Sequence, residues 1–149
     1  MKVTKIEAGG QQLDAAIDHF LKEQWVPAIH CAGAAEELCS GEIEKHGGKK
    51  LLDDLWEKHD FSDLVAHKKD YVKVSNLFRD WVKHANGQHP DGIEIEDWHA
   101  FGIVMRASIA YGRLRKLGVA PPREALDHLM RWFSENEKRL NEFVESLPD

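Results

Sequence analysis

The stretch from residue 27 to about 46 constrains the fold more than any other part of the chain. Its apolar positions Ala28, Cys31, Ala32, Ala35, Leu38, Cys39 and Ile43 recur at three- and four-residue intervals, the spacing of one face of an α-helix. Most of these side chains are small, so neighbouring helices can approach closely. Such a helix belongs at the centre of a bundle. Pro27 suits its first turn, and Gly47-Gly48 stops it.

The same period runs through the rest of the chain. Leu13, Ala16, Ile17, Phe20 and Leu21 predict a helix over about 10–24, and Leu51, Leu52, Leu55 and Trp56 another over about 49–59. Residues 61–69 read as a turn or two of helix leading into a fourth helix over about 70–85. NGQHPDGIEI (residues 86–95) is a polar, turn-rich loop. A fifth helix is predicted over about 96–117, with Trp98, Phe101, Met105, Ile109 and Gly112 along one side and Gly118 as its cap. Pro121-Pro122 opens a last helix to about 146, through Leu126, Leu129, Met130, Phe133, Leu140, Phe143, Val144 and Leu147. Residues 1–9 read as a lead-in or extended arm. With no strand pattern and no internal repeat, the expectation is an all-α bundle of five or six helices in a single domain over 1–149.

Composition narrows the class. A hydrophobic content of 42% and a charged content of 31% suit a folded chain rather than a disordered one. No apolar run approaches the roughly 20 residues of a membrane span, and MKVTKIEAGG has no signal-peptide core. The expectation is a cytoplasmic protein without a membrane partner. Cys31 and Cys39 lie eight residues apart; on one helix that is about 12 Å, too far for a disulfide, so both read as small buried side chains in a reducing compartment. The net charge of −6 argues against a broad nucleic-acid surface. Between Ala66 and Pro90, however, Lys68, Lys69, Lys73, Arg79 and Lys83 outnumber Asp70 and Asp80, a surplus of +3, and His67, His84 and His89 lie in the same window. That window suits a phosphate ligand, although a solvated helix face carries the same kind of cluster. The tail from Ser134 runs the other way, with five acids against Lys138 and Arg139.

At the centre of the basic window is VSNLFRDWVKH, residues 74–84. On a helix Val74, Leu77, Phe78, Trp81 and Ala85 share one face, with Val82 at its edge, and Arg79, Asp80, Lys83 and His84 lie outside it. Asp80 and His84 are i,i+4 neighbours, so the carboxylate can orient the imidazole. Asn86-Gly87 is a C-cap signal that places His84 in the last turn, where the helix dipole favours the imidazolium. Arg79 and His84 are about 140° apart on an ideal helix. A fraying helix end or a second copy of the helix would be needed to bring them over one small group.

Arg79-Asp80-Trp81-Val82-Lys83-His84 resembles the motif of the HEPN superfamily, the higher-eukaryote and prokaryote nucleotide-binding helical domains. That motif is an arginine, usually followed by Asn, Asp or His, then a histidine after four to six intervening residues near the end of a late helix. AGAAEELCSGEIEKHGG (residues 32–48) is similar to the alanine-rich, glutamate-bearing helix of HEPN branches linked to abortive infection. The resemblance covers about 12–117. It implies a helical bundle and a homodimer whose motif helices face each other across a cleft. In many members this is a metal-independent endoribonuclease of toxin–antitoxin, CRISPR-associated or phage-defence systems; in others it is a non-catalytic nucleotide- or protein-binding module. Under the first reading Arg79 clamps phosphate, His84 transfers protons, Asp80 orients His84 or positions the substrate, and Lys83 and Lys73 bind substrate. No cofactor or metal is implied; RNA is the substrate, and a cognate antitoxin or other protein is a partner. The chemistry accounts for these residue types, since attack by a 2′-hydroxyl needs proton transfer near neutral pH and cationic stabilisation of the phosphorane.

Other constellations weigh less. Glu96-x-x-His99 is half of a di-iron pattern that needs two such pairs, whereas Glu42/His46 and Glu124/His128 have one residue too many between them. His30 and Glu37, seven apart, read as a solvated face. Glu36 borders the apolar stripe and reads as a buried partner for Arg79 or Arg106. Trp81 and Trp98 sit in apolar stripes and read as core rather than as base-stacking platforms. There is no P-loop, dinucleotide fingerprint or nucleophile elbow.

Overall fold

A capping box starts the first helix. The Glu7 N–H donates to the Thr4 hydroxyl at 3.2 Å, and the Thr4 N–H donates to the Glu7 carboxylate at 2.7 Å. α1 therefore spans Lys5–Leu21, and the predicted arm over 1–9 is helix from Lys5 onward. The computed structural model describes residues 1–59, 66–84 and 90–146, the last without the side chains of 140 and 143–146. Its further helices are α2 (Trp25–Lys45), α3 (Leu51–Lys58), α4 (Lys68–Ser75), α5 (Leu77–Lys83), α6 (Asp97–Lys116) and α7 (Glu124–Ser146). The described residues are all helix and connecting segments, seven helices where five or six were expected. The extra one arises because the predicted fourth helix breaks at Asn76, whose φ of −105° and ψ of 1° leave helical geometry.

α2 is the central helix, packed against α1, α5 and α6. Its Ala28, Ala32, Ala35, Cys39 and Ile43 join Leu13, Ala16, Ile17 and Phe20 of α1 in the buried core. α6 contributes Ala100, Ile103, Val104, Ala107, Ala110, Tyr111 and Leu114. This alanine-rich face, and not the predicted Trp98–Phe101–Met105–Ile109–Gly112 side, turns inward. Two small-residue helices let their backbones approach, and the bulkier side chains are left to the next layer. There Phe101 packs on Phe20, Trp132 and Phe133 at centroid distances of 5.9, 5.2 and 5.7 Å, which fastens α7 to the bundle. Ile109 is exposed.

Glycines end two helices as expected. Gly47 has φ +79°, and the Gly48 N–H returns to the Ile43 carbonyl at 3.0 Å. Gly118, at φ +75°, closes α6 in the same left-handed conformation.

Two arginines clamp the layers. Arg123 donates to the Tyr111 hydroxyl at 3.2 Å and to Asp14 at 2.5 Å, holding the start of α7 on α1 and α6. It occupies the space Gly10 leaves, since a Cβ there would lie 2.2 Å from its guanidinium. Arg106 lies deeper. Its Nη2 donates to both Glu36 carboxylate oxygens at 2.9 and 2.7 Å and to Asn76 Oδ1 at 2.8 Å. Its Nε reaches Glu36 at 3.2 Å and its Nη1 reaches the Ser75 carbonyl. The side chains are 13% and 6% exposed. Of the two partners open to Glu36 in the sequence, the structure selects Arg106. Replacing Arg106 with Leu leaves a buried carboxylate unpaired, so unfolding in urea should show a loss of about 3 kcal/mol or more. An unchanged midpoint and slope would contradict this account of the clamp.

Candidate functional site

The break at Asn76 decides where α5 goes. With Asn76 held by Arg106, the following seven residues form a separate short helix that lies on α2. Phe78 and Val82 pack against the core, whereas Val74 is 64% exposed and Leu77 is also exposed. The predicted apolar face is thus divided by the break: Val74 on α4 and Leu77 at the start of α5 are left in solvent, and of the face's described residues Phe78 and Val82 pack against the core. Trp81 is half-buried outside the core, its indole donating to the Pro90 carbonyl at 2.8 Å. Trp98 likewise lies outside the core, donating to Glu96 at 2.9 Å. Ala85, the Asn86-Gly87 cap signal and His89 lie outside the described residues.

Arg79 crosses α2 at Gly33. A Cβ there would lie 2.8 Å from both Cγ and Cδ of Arg79, so the absence of a side chain is what lets the arginine lie flat against the helix. The Arg79 side chain is 23% exposed. Its Nε is buried, and among the described residues no acceptor reaches it. Asp80 Oδ1 stands 3.6 Å away, an ion pair but past hydrogen-bond reach.

Arg79 lines a groove of about 570 Å³ between α2, α3 and the α4–α5 junction. Charge in this groove is balanced. Arg106 is taken by Glu36, Lys50 lies 3.7 Å from Glu44, and Lys83 lies 3.4 Å from Glu37. Asp53 is held from outside by Lys68 at 2.8 Å. Against that background Arg79 is the cation of the groove whose guanidinium makes no hydrogen bond among the described residues. A smaller recess of about 80 Å³ adjoins, lined by His30, Gly33, Ala34, Glu37, Arg79 and Lys83.

The structure therefore brings Arg79 and Lys83 together and sets Asp80 beside Arg79. It does not bring His84 or Lys73 to the groove. Lys73 is exposed on α4. α5 ends at Lys83, so His84 is the C-cap, with φ −120° and ψ 103°, and only its N–H returns to the Asp80 carbonyl at 2.9 Å. The expected i,i+4 carboxylate–imidazole pairing needs helical geometry at both residues, and His84 lacks it. Its ring is exposed.

Sequence reasoning missed His30, read as solvated. It is indeed exposed, but it faces α5 across the recess rather than open water alone. The i,i+3 spacing to Gly33 was visible; that an arginine from a distant helix would cross that glycine was not. Glu96-x-x-His99 has a structural role. The Glu96 N–H donates to His99 Nδ1 at 2.9 Å, capping α6, and the ring packs at a tilt against Phe78 and Trp98, with centroid distances of 3.9 and 3.5 Å. Burial lowers the His99 pKa below its ordinary value. Burial, with Glu36 and Glu42 nearby, pushes the Cys39 thiol up to about 12, and burial raises Cys31 too. Both cysteines are free and neither is set up as a nucleophile.

Comparisons with protein-family models, with curated proteins and with solved structures find no significant match to this chain. The functional reading therefore rests on the groove and the motif.

Gly33→Ala should push Arg79 off α2 and cost about 1–3 kcal/mol on urea unfolding, with a shift of the Arg79 Nε–H resonance; an unshifted resonance at full stability would contradict the packing described. His99 gives a pH test. Its folded pKa is depressed, so its contribution to stability is complete above the unfolded value of about 6.5 and is lost as pH falls toward the folded value. Between about pH 7 and pH 5 the wild type should lose more stability than His99→Gln, whose amide oxygen can still accept at the cap. Parallel pH dependences would show that His99 is not responsible.

Proposed function

We propose that the chain is a HEPN-like, metal-independent endoribonuclease that works as a homodimer. One observation carries the reading. Arg79 is half-buried over Gly33 with a guanidinium that makes no hydrogen bond among the described residues, beside Lys83, and an exposed imidazole follows at the end of the same short helix. A guanidinium with unused donors, in a partly desolvated groove, suits the non-bridging oxygens of a phosphodiester. In the reaction the RNA 2′-hydroxyl gives its proton to a base and its oxygen bonds to phosphorus. The 5′-oxygen leaves and takes a proton from an acid, yielding a 2′,3′-cyclic phosphate and a 5′-hydroxyl. Imidazole can serve in either proton transfer near neutral pH. Because His84 does not line the groove of its own chain, the partner's copy of α5 supplies it in this reading. Asp80, beside Arg79, restrains the guanidinium rather than the imidazole.

A non-catalytic nucleotide- or protein-binding module is the second reading, and the balanced charge of the groove favours it. Wild type, Arg79→Ala and His84→Ala, compared on total RNA in EDTA, separate the two. Cleavage by wild type and a loss of about a hundredfold or more in each variant is the expected result. Three folded proteins behaving alike would overturn the enzymatic reading.

A further inference from the structure

We propose that His30 of α2, together with Arg79 and Lys83 of α5, forms a phosphate-binding recess within a single chain. For its place in RNA cleavage the inference rests on the reading above; for the anion itself it does not. His30, Arg79 and Lys83, with Glu37, line a recess of about 80 Å³ against Gly33 and Ala34; most of its wall is side-chain carbon, and the nitrogens stand at its rim. It admits a group the size of a phosphoryl oxyanion and is much smaller than the neighbouring groove.

The donors are of complementary kinds. Arg79 brings a guanidinium whose Nε is buried and whose Nη groups make no hydrogen bond among the described residues, so the Nη N–H groups are the ones that can reach phosphoryl oxygens. Lys83 brings an ammonium held by Glu37 at the long distance of 3.4 Å, with N–H donors left over. His30 carries at least one N–H in either protonation state, so it can donate to a phosphoryl oxygen at neutral pH. Glu37 is the opposing group. It meets Lys83 only at 3.4 Å and its side chain is 67% exposed; a pair of that kind is weak, and the carboxylate can turn to water when an anion takes the ammonium. Gly33 serves a second purpose here, because a methyl group at that position would displace Arg79 from the recess wall.

The phosphoryl group can come from free phosphate or from an RNA phosphodiester, and two titrations separate these sources. Inorganic phosphate, and in parallel a 2′-deoxy dinucleotide that cannot be cleaved, are added to ¹⁵N-labelled protein while the Arg79 Nε–H resonance is followed. The same titrations are run on His30→Ala, His30→Gln and, as a control imidazole on α7, His128→Ala. Wild type and His128→Ala should show a saturable shift with one or both probes. His30→Ala should bind about tenfold more weakly, the equivalent of one charge-assisted hydrogen bond, with His30→Gln recovering part of the loss through its amide N–H. Response to the dinucleotide alone assigns the recess to RNA, and response to both assigns it to phosphoryl groups generally. An Arg79 resonance that moves with neither probe, or equal affinity in wild type and His30→Ala, overturns the proposal; His30 is exposed, so circular dichroism should confirm an intact fold. If phosphate binds through His30 but no RNA is cleaved, the recess stands and the ribonuclease reading falls. If RNA is cleaved and His30→Ala binds as wild type, the reverse holds.

Discussion

Arg106 joins three parts of the molecule that, among the described residues, share no other polar anchor of comparable burial: Glu36 on α2, the α6 backbone it stands on, and the Ser75–Asn76 junction. A buried ion pair of this kind is a poor source of net stability, since desolvating both charges costs about as much as their attraction returns. Its effect lies in placement. A guanidinium has five N–H donors in a fixed fork, and five hydrogen bonds tie this one to Glu36, Ser75 and Asn76. The chain between α4 and α5 therefore has one favourable position. From it follow the break at Asn76, the separate course of α5 and the arrival of Arg79 over Gly33.

Arg79 in turn depends on what α2 lacks. A helix built from alanine, cysteine and glycine on its packed faces allows α1 and α6 to come close on one side and an arginine stem to lie flat on another. The stem and Nε are buried while the guanidinium makes no hydrogen bond among the described residues, and partial burial raises the strength of any hydrogen bond it makes above that of a fully hydrated guanidinium. Lysine in the same place would offer a point charge without the fork. The exposed end of α5 has the opposite character. His84 sits outside helical geometry in solvent, able to meet a group presented by another surface but not the groove behind it. The candidate site is thus divided between an anchored cation and an exposed imidazole, and this division underlies the dimeric reading.

Local patterns carried much of the fold in readable form. The small-residue stripe marked α2 as central, Gly47 and Gly118 marked two helix ends, and Glu36 beside an apolar face announced a buried cationic partner. Thr4-x-x-Glu7 holds the signature of a capping box, and Ile6 within it packs against the core, so the start of α1 is legible in principle; the Gly9-Gly10 pair, unfavourable in a helix interior, obscures it. The remainder was non-local. Nothing near Asn76 stops a helix; Arg106, thirty residues on, removes it from one. The inward face of α6 could not be chosen by period alone, because Ala100, Ala107 and Ala110 compete with Phe101 and Met105 and the small face of α2 decides between them. His30 read as solvated since its partner helix lies some fifty residues away. His99 looked like half a metal site until its backbone neighbour claimed the ring nitrogen.

A shared site across two copies makes a direct demand on subunit mixing. Arg79→Ala and His84→Ala subunits, each inactive alone, are unfolded, mixed in equal amounts and refolded together, and RNA cleavage is then measured in EDTA. In a two-fold dimer, half of the randomly mixed pairs are heterodimers, and one of the two composite sites in each keeps both residues. The account predicts recovery of roughly a quarter of wild-type activity on that statistical basis. A mixture as inactive as its components, prepared beside refolded wild type that cleaves, would contradict it.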